Sequence, residues 1–418
     1  ALMKLTIDRL GYLGDAIAMG PEGPIYVPHV LPGEEVEGEV EGDRMISPKI
    51  ITPSPDRVRP PCVHARSCGG CLLQHASDSF VAEWKLDVVR TALARQGLNA
   101  TFLPILTSPA QSRRRATLTA RRSKTGAMIG FHARASDVLV PVPNCQLLSP
   151  QLMATFPALE ALVVAGSSRK GEVQLTITDS LAGPDVSVTG GKPIDATLRL
   201  ELARIAERFN IARLSWENEV IALRTAPMQR FGAALVAPPA GGFLQATLQG
   251  EADLVAAVTR AVGDAKKIVD LFAGAGTFAL PLARNAEVFA FEGDKAMVEA
   301  MDKGWRMAQG LKLVTSQMRD LFRRPLEPDE FKNVGAVVID PPRAGAEAQM
   351  ETISRSDIPV VVAVSCNPVT FARDAAMLVK GGFGLEWVQV VDQFRWSSHI
   401  ELVAKFTKNI NKRSKGNL

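Results

Sequence analysis

No uninterrupted apolar stretch in this chain approaches the roughly 20 residues of a membrane-crossing helix, and its N-terminal segment has none of the architecture of a secretory signal. Neither a helical membrane protein nor a secreted one is expected; a cytoplasmic protein is. No internal repeat or low-complexity segment is evident, which leaves ordinary folded domains. Cysteine is scarce, at five residues in 418. That is too few for a disulfide scaffold, and in a reducing compartment clustered thiols point to a metal or to catalysis.

The chain is 46% apolar and 22% charged, in the range of soluble globular proteins, and its length calls for two or three domains. A net charge of +4 and a pI near 8.8 permit a nucleic-acid partner without requiring one. The distribution of charge says more. Arg113, Arg114, Arg115, Arg121, Arg122 and Lys124 crowd one short segment, which fits phosphate contact as well as a solvated strand face. Lys405, Lys408, Lys412, Arg413 and Lys415 near the end read as a frayed, solvated terminus.

Short strand-like runs separated by glycine and proline make residues 1–54 a small all-β module. A proline-rich link leads to a segment whose spacing predicts an amphipathic helix over 78–96. Ser77 or Asp78 caps it, Val81, Trp84, Val88 and Leu93 form its apolar stripe, and Gly97 ends it. From about 110 to 240 short strands alternate with one or two helices. Beyond Pro239 the pattern changes to wholly apolar strands separated by helices, the mark of a parallel sheet covered on both faces. The boundaries expected are 1–54, 55–240 and 241–418.

The cysteines divide four to one. Cys62, Cys68 and Cys71 form C-x5-C-G-G-C, and Cys145 stands alone in Pro-Asn-Cys-Gln. Four sulfurs suit a tetrahedral metal or an iron–sulfur cluster, and the spacing leaves zinc and iron–sulfur open. Gly69 and Gly70 allow tight wrapping there. Cys366 instead follows an apolar strand in Val-Ser-Cys-Asn-Pro, a loop tip before a helix beginning near Thr370, where a helix N-terminus favours thiolate.

Asp270-Leu-Phe-Ala-Gly-Ala-Gly-Thr-Phe follows the first apolar strand and opens a helix. Gly274 and Gly276 permit a sharp turn and close ligand approach, and Glu292 ends the next strand, where ribose hydroxyls can be held. The third glycine of a dinucleotide fingerprint is absent. The loop resembles motif I of the Rossmann-like S-adenosylmethionine methyltransferases. Asp340, in Asp-Pro-Pro-Arg, ends a further strand at the same edge. Glu401 lies within an alternating strand, whose bland reading is a solvent-facing carboxylate; His399 reads most simply as a satisfied polar residue.

Taken together, Asp340-Pro-Pro-Arg-x-Gly, Ser365-Cys-Asn-Pro-x-Thr-x-Ala-Arg-Asp and His399-Ile-Glu-x-Val resemble the RNA (uracil-5-)-methyltransferase family. The four-cysteine pattern is similar to its iron–sulfur branch, which includes 23S rRNA (uracil-5-)-methyltransferases, and the N-terminal module resembles the TRAM domain, an OB-like barrel of RNA-modifying enzymes. The likeness runs in order along nearly the whole chain. It implies a multidomain α/β protein with an N-terminal OB-like barrel, an α+β central domain and a Rossmann-like class I methyltransferase domain. It further implies that Cys366 is the nucleophile and Glu401 the proton acceptor. Gln245, Phe272, Gly274, Gly276, Thr277, Glu292, Asp320 and Asp340 would line the cofactor or uracil site. Cys62, Cys68, Cys71 and Cys145 would hold a [4Fe–4S] cluster. Thr277 stands where relatives often carry Asn, and Ala273 where many carry Cys. S-adenosylmethionine is the implied cofactor and RNA the implied partner, 23S rRNA first and tRNA second, with a monomer expected. A silent RNA-binding protein and methylation of cytosine or a small molecule are the rival readings.

Overall fold

Alternating burial curls the first fifty residues into a closed sheet. Leu2–Leu10 pairs with Ala16–Gly20 along one side and with Glu35–Glu41 along the other, so the sheet meets itself as a small barrel. This computed structural model describes residues 2–408. Leu5, Ile7, Ile25, Val27, Val36 and Met45 fill the barrel, and Leu73, Ala76 and Val81 from the following segment close its end. Buried Glu34 fixes that junction: its two carboxylate oxygens accept from Nη2 and Nε of Arg57, each at 2.7 Å.

The helix predicted over 78–96 runs Asp78–Arg95, with Ser77 Oγ accepting from the Phe80 amide as its cap. Val81 and Leu93 of the expected stripe are buried, together with Lys85, Val89 and Ala92, while Trp84 and Val88 are half-buried and pack against the barrel core and the core of the C-terminal sheet. The inward lysine was not expected; Lys85 finds its partner, Asp392, across the interface at 2.7 Å.

A seven-stranded sheet occupies the centre of the chain, with strands in the order 139–141, 127–132, 115–122, 172–178, 185–189, 213–216 and 219–223. Three helices accompany it, Pro150–Ala154, Phe156–Gly166 and Ala196–Arg208, where one or two were expected.

The C-terminal sheet has eight strands in the order 314–318, 287–292, 267–271, 336–339, 360–365, 402–407, 384–392 and 106–107. The first five are mutually parallel; Leu402–Thr407 runs antiparallel to Val360–Ser365. Ile268, Val288, Val338 and Val362 pack on one face, and Val269, Leu271, Val337 and Val361 on the other, which accounts for strands apolar at nearly every position. Val89, Ala92 and Leu93 of the 78–95 helix join the second of these cores. Among the described residues no helix is long and apolar enough to cross a membrane.

Candidate active site

The parallel strands all end at one edge of the sheet. Lys267–Leu271 runs into Phe272, Glu287–Glu292 ends on its own acid, Val314–Met318 leads to Asp320, Ala336–Ile339 to Asp340 and Val360–Ser365 to Cys366. Ligands of open α/β sheets collect outside that edge. A cavity of about 1140 Å³ lies there, and its wall includes Gln245, Phe272, Gly274, Thr277, Glu292, Asp320, Asp340, Cys366 and Glu401. Of the residues assigned to catalysis and the cofactor from sequence, Gly276 alone is not in the wall. Its φ is +101°, and a Cβ there would lie 2.8 Å from Leu280 Cδ1, so its requirement comes from backbone and packing.

The loop after the first parallel strand is held from Glu292. One carboxylate oxygen accepts from the Gly274 amide at 3.1 Å, the other from the Asp294 amide at 2.7 Å. Phe272 sits at φ +61°, a left-handed conformation uncommon for an aromatic residue, and its ring packs against Phe322 at 5.3 Å between centroids. Asp320 Oδ1 accepts from the Phe322 and Arg323 amides at 3.0 and 3.2 Å. Thr277 and Gln245 complete the wall; Gln245 Oε1 accepts from Gln393 Nε2 at 2.6 Å. Asp270 lies beneath this loop, fully buried with neither carboxylate oxygen hydrogen-bonded. Burial first, then the charges of Asp340 and Glu292, holds its carboxyl well above the usual range. An acid inside an otherwise apolar strand was a visible signal of this.

Strand register brings Cys366 and Glu401 together. Ser365 pairs with Leu402 in the antiparallel ladder, so the next residue on one strand stands opposite the preceding residue on the other. Glu401 is not solvent-facing: it is 4% exposed and sits one residue before its strand begins. Burial and the Asp340 carboxylate push its pKa well up, against the pull of the Gln393 amide. Asp340 itself is raised to about 7 by burial.

The expectation of a favoured thiolate is corrected. Burial, followed by the charges of Glu401 and Asp340, pushes the Cys366 thiol up to about 11. The helix that follows starts at Pro368, not near Thr370, with Asn367 as its cap, so one terminus works against burial and two acids and loses. Arg343 pulls the other way more weakly.

The arginine cluster splits. Arg113 and Arg115 line the cavity, whereas Arg114 turns inward, 3% exposed, to Glu251 at 2.7 Å and the Gln245 carbonyl at 3.0 Å. Arg121 pairs with Glu172. His399 lines the cavity beside Phe394, and burial with the charges of Arg343, Lys85 and Arg113 keeps its imidazole below the usual pKa, hence neutral. The terminus is not frayed where it is described: Lys405 is part of the strand Leu402–Thr407, and Lys408 Nζ donates to the Ser356 carbonyl at 2.6 Å. Lys412, Arg413 and Lys415 lie outside the described residues.

Cys62, Cys68, Cys71 and Cys145 line one small cavity, all as free thiols. Gly69 lets the loop lie against the central sheet; its amide donates to the His132 carbonyl at 3.0 Å, and a Cβ would lie 2.6 Å from that oxygen. Amides of His64 and Gly70 already point at the Cys62 and Cys68 sulfurs, at 3.4 and 3.3 Å. Burial raises the thiols of Cys68 and Cys145 and takes Cys71 up to about 12. Two buried and two half-buried sulfurs, with amides directed at two of them and Arg113 as the nearby positive charge, form a donor set that a bound cationic centre would complete. Among the described residues, however, no group of three or more Cys, His, Asp or Glu closes to the spacing of a metal-ion site.

Comparison with known proteins extends this geometry. The profile of a family described as tRNA (Uracil-5-)-methyltransferase matches residues 240–408. An uncharacterized RNA methyltransferase of Brucella suis biovar 1 is 40% identical, over 97% of this chain and 98% of its own length. The 23S rRNA (uracil(1939)-C(5))-methyltransferase RlmD of Chromohalobacter salexigens is 32% identical, over 97% of this chain and 89% of its own. The crystal structure of a Pyrococcus abyssi tRNA (uracil-54, C5)-methyltransferase in complex with S-adenosyl-L-homocysteine superposes with a TM-score of 0.74 at 22% identity. It covers 97% of this chain and 99% of that one, and its likeness is one of fold.

Proposed function

This chain belongs to the RNA (uracil-5-)-methyltransferase family, and we propose that it methylates C5 of a uridine in 23S rRNA through a covalent bond between Cys366 and C6 of the base. The observation that carries this reading is the register that sets Cys366 opposite Glu401, with Asp340 on the neighbouring strand end and the glycine loop sharing their cavity. Support for rRNA as the substrate comes from the full-length relative named for that reaction. In this reading residues 1–54 are an RNA-binding barrel, 55–240 a central domain and 241–418 the methyltransferase domain. One chain supplies every residue of the site, so a monomer suffices, acting in the cytoplasm.

Uracil C5 is a poor nucleophile; the Cys366 thiol gives up its proton to water, its sulfur adds to C6, and the C5–C6 π pair becomes an enolate with electron density on C5. S-adenosylmethionine supplies the methyl group that C5 then attacks. Glu292 is suited to hold the ribose hydroxyls, while Phe272, Gly274, Thr277, Asp320 and Gln245 shape the remaining wall. Glu401 removes the C5 proton, and the sulfur is expelled. A buried carboxyl with a raised pKa is a better base for a carbon acid near neutrality than an ordinary glutamate. The base must be single-stranded or flipped out to reach this depth, and Arg113 and Arg115 on the rim are suited to its phosphates.

Incubation with tritiated S-adenosylmethionine and unmodified 23S rRNA or tRNA transcripts tests the assignment. Label is expected in 5-methyluridine of the rRNA. Label in tRNA alone would move the substrate, and label in neither RNA would overturn the reading.

We also assign a [4Fe–4S] cluster to Cys62, Cys68, Cys71 and Cys145. Support for it comes from the four thiols around one cavity and from the C-x5-C-G-G-C spacing, which is similar to that of the family's iron–sulfur branch. Its role is structural: the Leu72 and Leu73 amides next to Cys71 hold the Trp396 carbonyl at 2.7 and 3.0 Å, in the segment that leads to Glu401. Anaerobically purified protein should be brown and carry about four irons per chain. Cys145→Ser should lose the colour and iron yet still bind S-adenosylhomocysteine. Colourless wild-type protein with stoichiometric zinc would exclude the cluster.

A further inference from the structure

Lys85 is fully buried in the middle of the 78–95 helix, at 0% exposure. Its ammonium has three N–H groups and three acceptors: Asp392 Oδ1 at 2.7 Å, the His399 carbonyl at 2.8 Å and the Phe394 carbonyl at 3.3 Å. All three belong to the segment 392–399, which starts on the last residue of the strand 384–392 and leads towards the strand 402–407, and Glu401 follows two residues later. Asp392 Oδ1 also accepts from the Phe394 amide at 3.1 Å, so one contact knot ties both ends of the segment. The same helix grips it a second time at the surface, where Arg395 pairs with Asp78 at 2.9 Å.

A buried Lys–Asp pair is a poor way to gain stability, since well-packed apolar residues of like volume are often as good or better. Desolvation alone lowers the Lys85 pKa, and Asp392 only partly restores it. What an apolar pair cannot do is satisfy two inward-facing carbonyls at fixed positions. Those carbonyls set the path of the chain into Glu401, whose other neighbour, Gln393, is fixed through Gln245 and the Ala246 amide at 2.6 and 3.0 Å.

We propose that Lys85 is a positioning residue for proton abstraction, holding segment 392–399 so that the Glu401 carboxylate meets the C5 proton of the methylated adduct. The inference rests on the roles given above to Cys366 and Glu401. In that step the C5 proton passes to Glu401, the C5–H electron pair becomes the C5–C6 double bond, and the C6–S bond breaks with its pair returning to sulfur. Addition of Cys366 and methyl transfer precede it and do not use Glu401. A displaced base therefore stalls the reaction after methylation, and misplacement by about 1 Å can cost on the order of 100-fold.

The test is a quenched single turnover on unmodified 23S rRNA transcript with labelled S-adenosylmethionine, resolving covalent protein–RNA adduct from free methylated RNA. Lys85→Met/Asp392→Asn removes both charges together, so no unpaired ion is left in the core. The double variant should form methylated adduct at near the wild-type rate and release it about 10- to 100-fold more slowly. Lys85→Gln, which keeps two N–H donors, should recover part of the release rate. A purely structural role would reduce the amount of active enzyme and leave the ratio of adduct to product unchanged; that result overturns the proposal. Glu401→Gln run alongside separates the two levels of inference. If it traps adduct while the Lys85 variants do not, only the role of Lys85 falls; if it turns over normally, both fall.

Discussion

Cys366→Ala should abolish methylation while leaving cofactor binding in place. The side chain is small, half-buried and makes no side-chain hydrogen bond that fixes the fold, so alanine costs little structurally. The Phe272–Thr277 loop and Glu292, proposed to hold the cofactor, are held by bonds that do not involve it. S-adenosylhomocysteine should therefore bind the variant with unchanged affinity by calorimetry. Transfer of tritiated methyl to RNA should drop on the order of 10⁴-fold or more, as for loss of other covalent nucleophiles. RNA carrying 5-fluorouridine gives the sharper readout. Fluorine cannot leave C5 as a proton does, so wild-type protein should be caught as a covalent complex on a denaturing gel and the variant should show none. A complex formed by the alanine variant would end the proposed mechanism. The raised thiol pKa adds a control: in the free protein Cys366 should alkylate slowly at neutral pH and faster towards pH 11, as the thiol held up by burial, Glu401 and Asp340 ionises.

Sequence alone carried much of this site because the chemistry lies at strand ends. An apolar strand followed by a glycine turn, Asp-Pro-Pro-Arg or Ser-Cys-Asn-Pro announces both the strand and the residue just past it, and parallel strands deliver those residues to one edge. Cys366, Asp340 and Glu292 were legible for that reason. What escaped depended on pairing across long sequence distances. Lys85 and Asp392 are 307 residues apart, and nothing in the helical period of 78–95 says that a lysine faces inward. Arg114 could not be separated from its neighbours without knowing that Glu251 waits inside. The ionisation of Cys366 was misread because a helix terminus is local and readable, whereas the two acids beside the thiol come from other strands. For Gly276 the sequence offered a sharp turn and ligand approach together; the positive φ and the nearness of Leu280 account for the turn.

Glu401→Gln should separate methylation from release. Glutamine has the shape of the glutamate it replaces, and at a position 4% exposed that shape matters for packing. It cannot accept the C5 proton as a carboxylate does. Addition of Cys366 and methyl transfer should proceed, and elimination should slow by about 10²- to 10⁴-fold, the usual worth of a positioned general base. A single turnover would thus end in labelled RNA bound to protein, resistant to denaturant and carrying the methyl group. Ordinary turnover by this variant would remove Glu401 from its role, and failure to form the adduct would place the residue earlier in the reaction. Stability supplies an independent check with a definite sign. A carboxyl whose folded pKa is raised binds its proton more tightly folded than unfolded, so its contribution is intact below the ordinary glutamate range and is lost as pH rises towards the folded value. Glutamine never ionises and escapes that loss. The variant should therefore melt higher than wild type at neutral pH, with the gap closing as pH falls to about 4. A site that costs stability in its functional ionisation state is expected of catalysis, not of packing. Equal melting temperatures at neutral pH would mean that Glu401 is not held in the unfavourable setting its burial beside Asp340 creates.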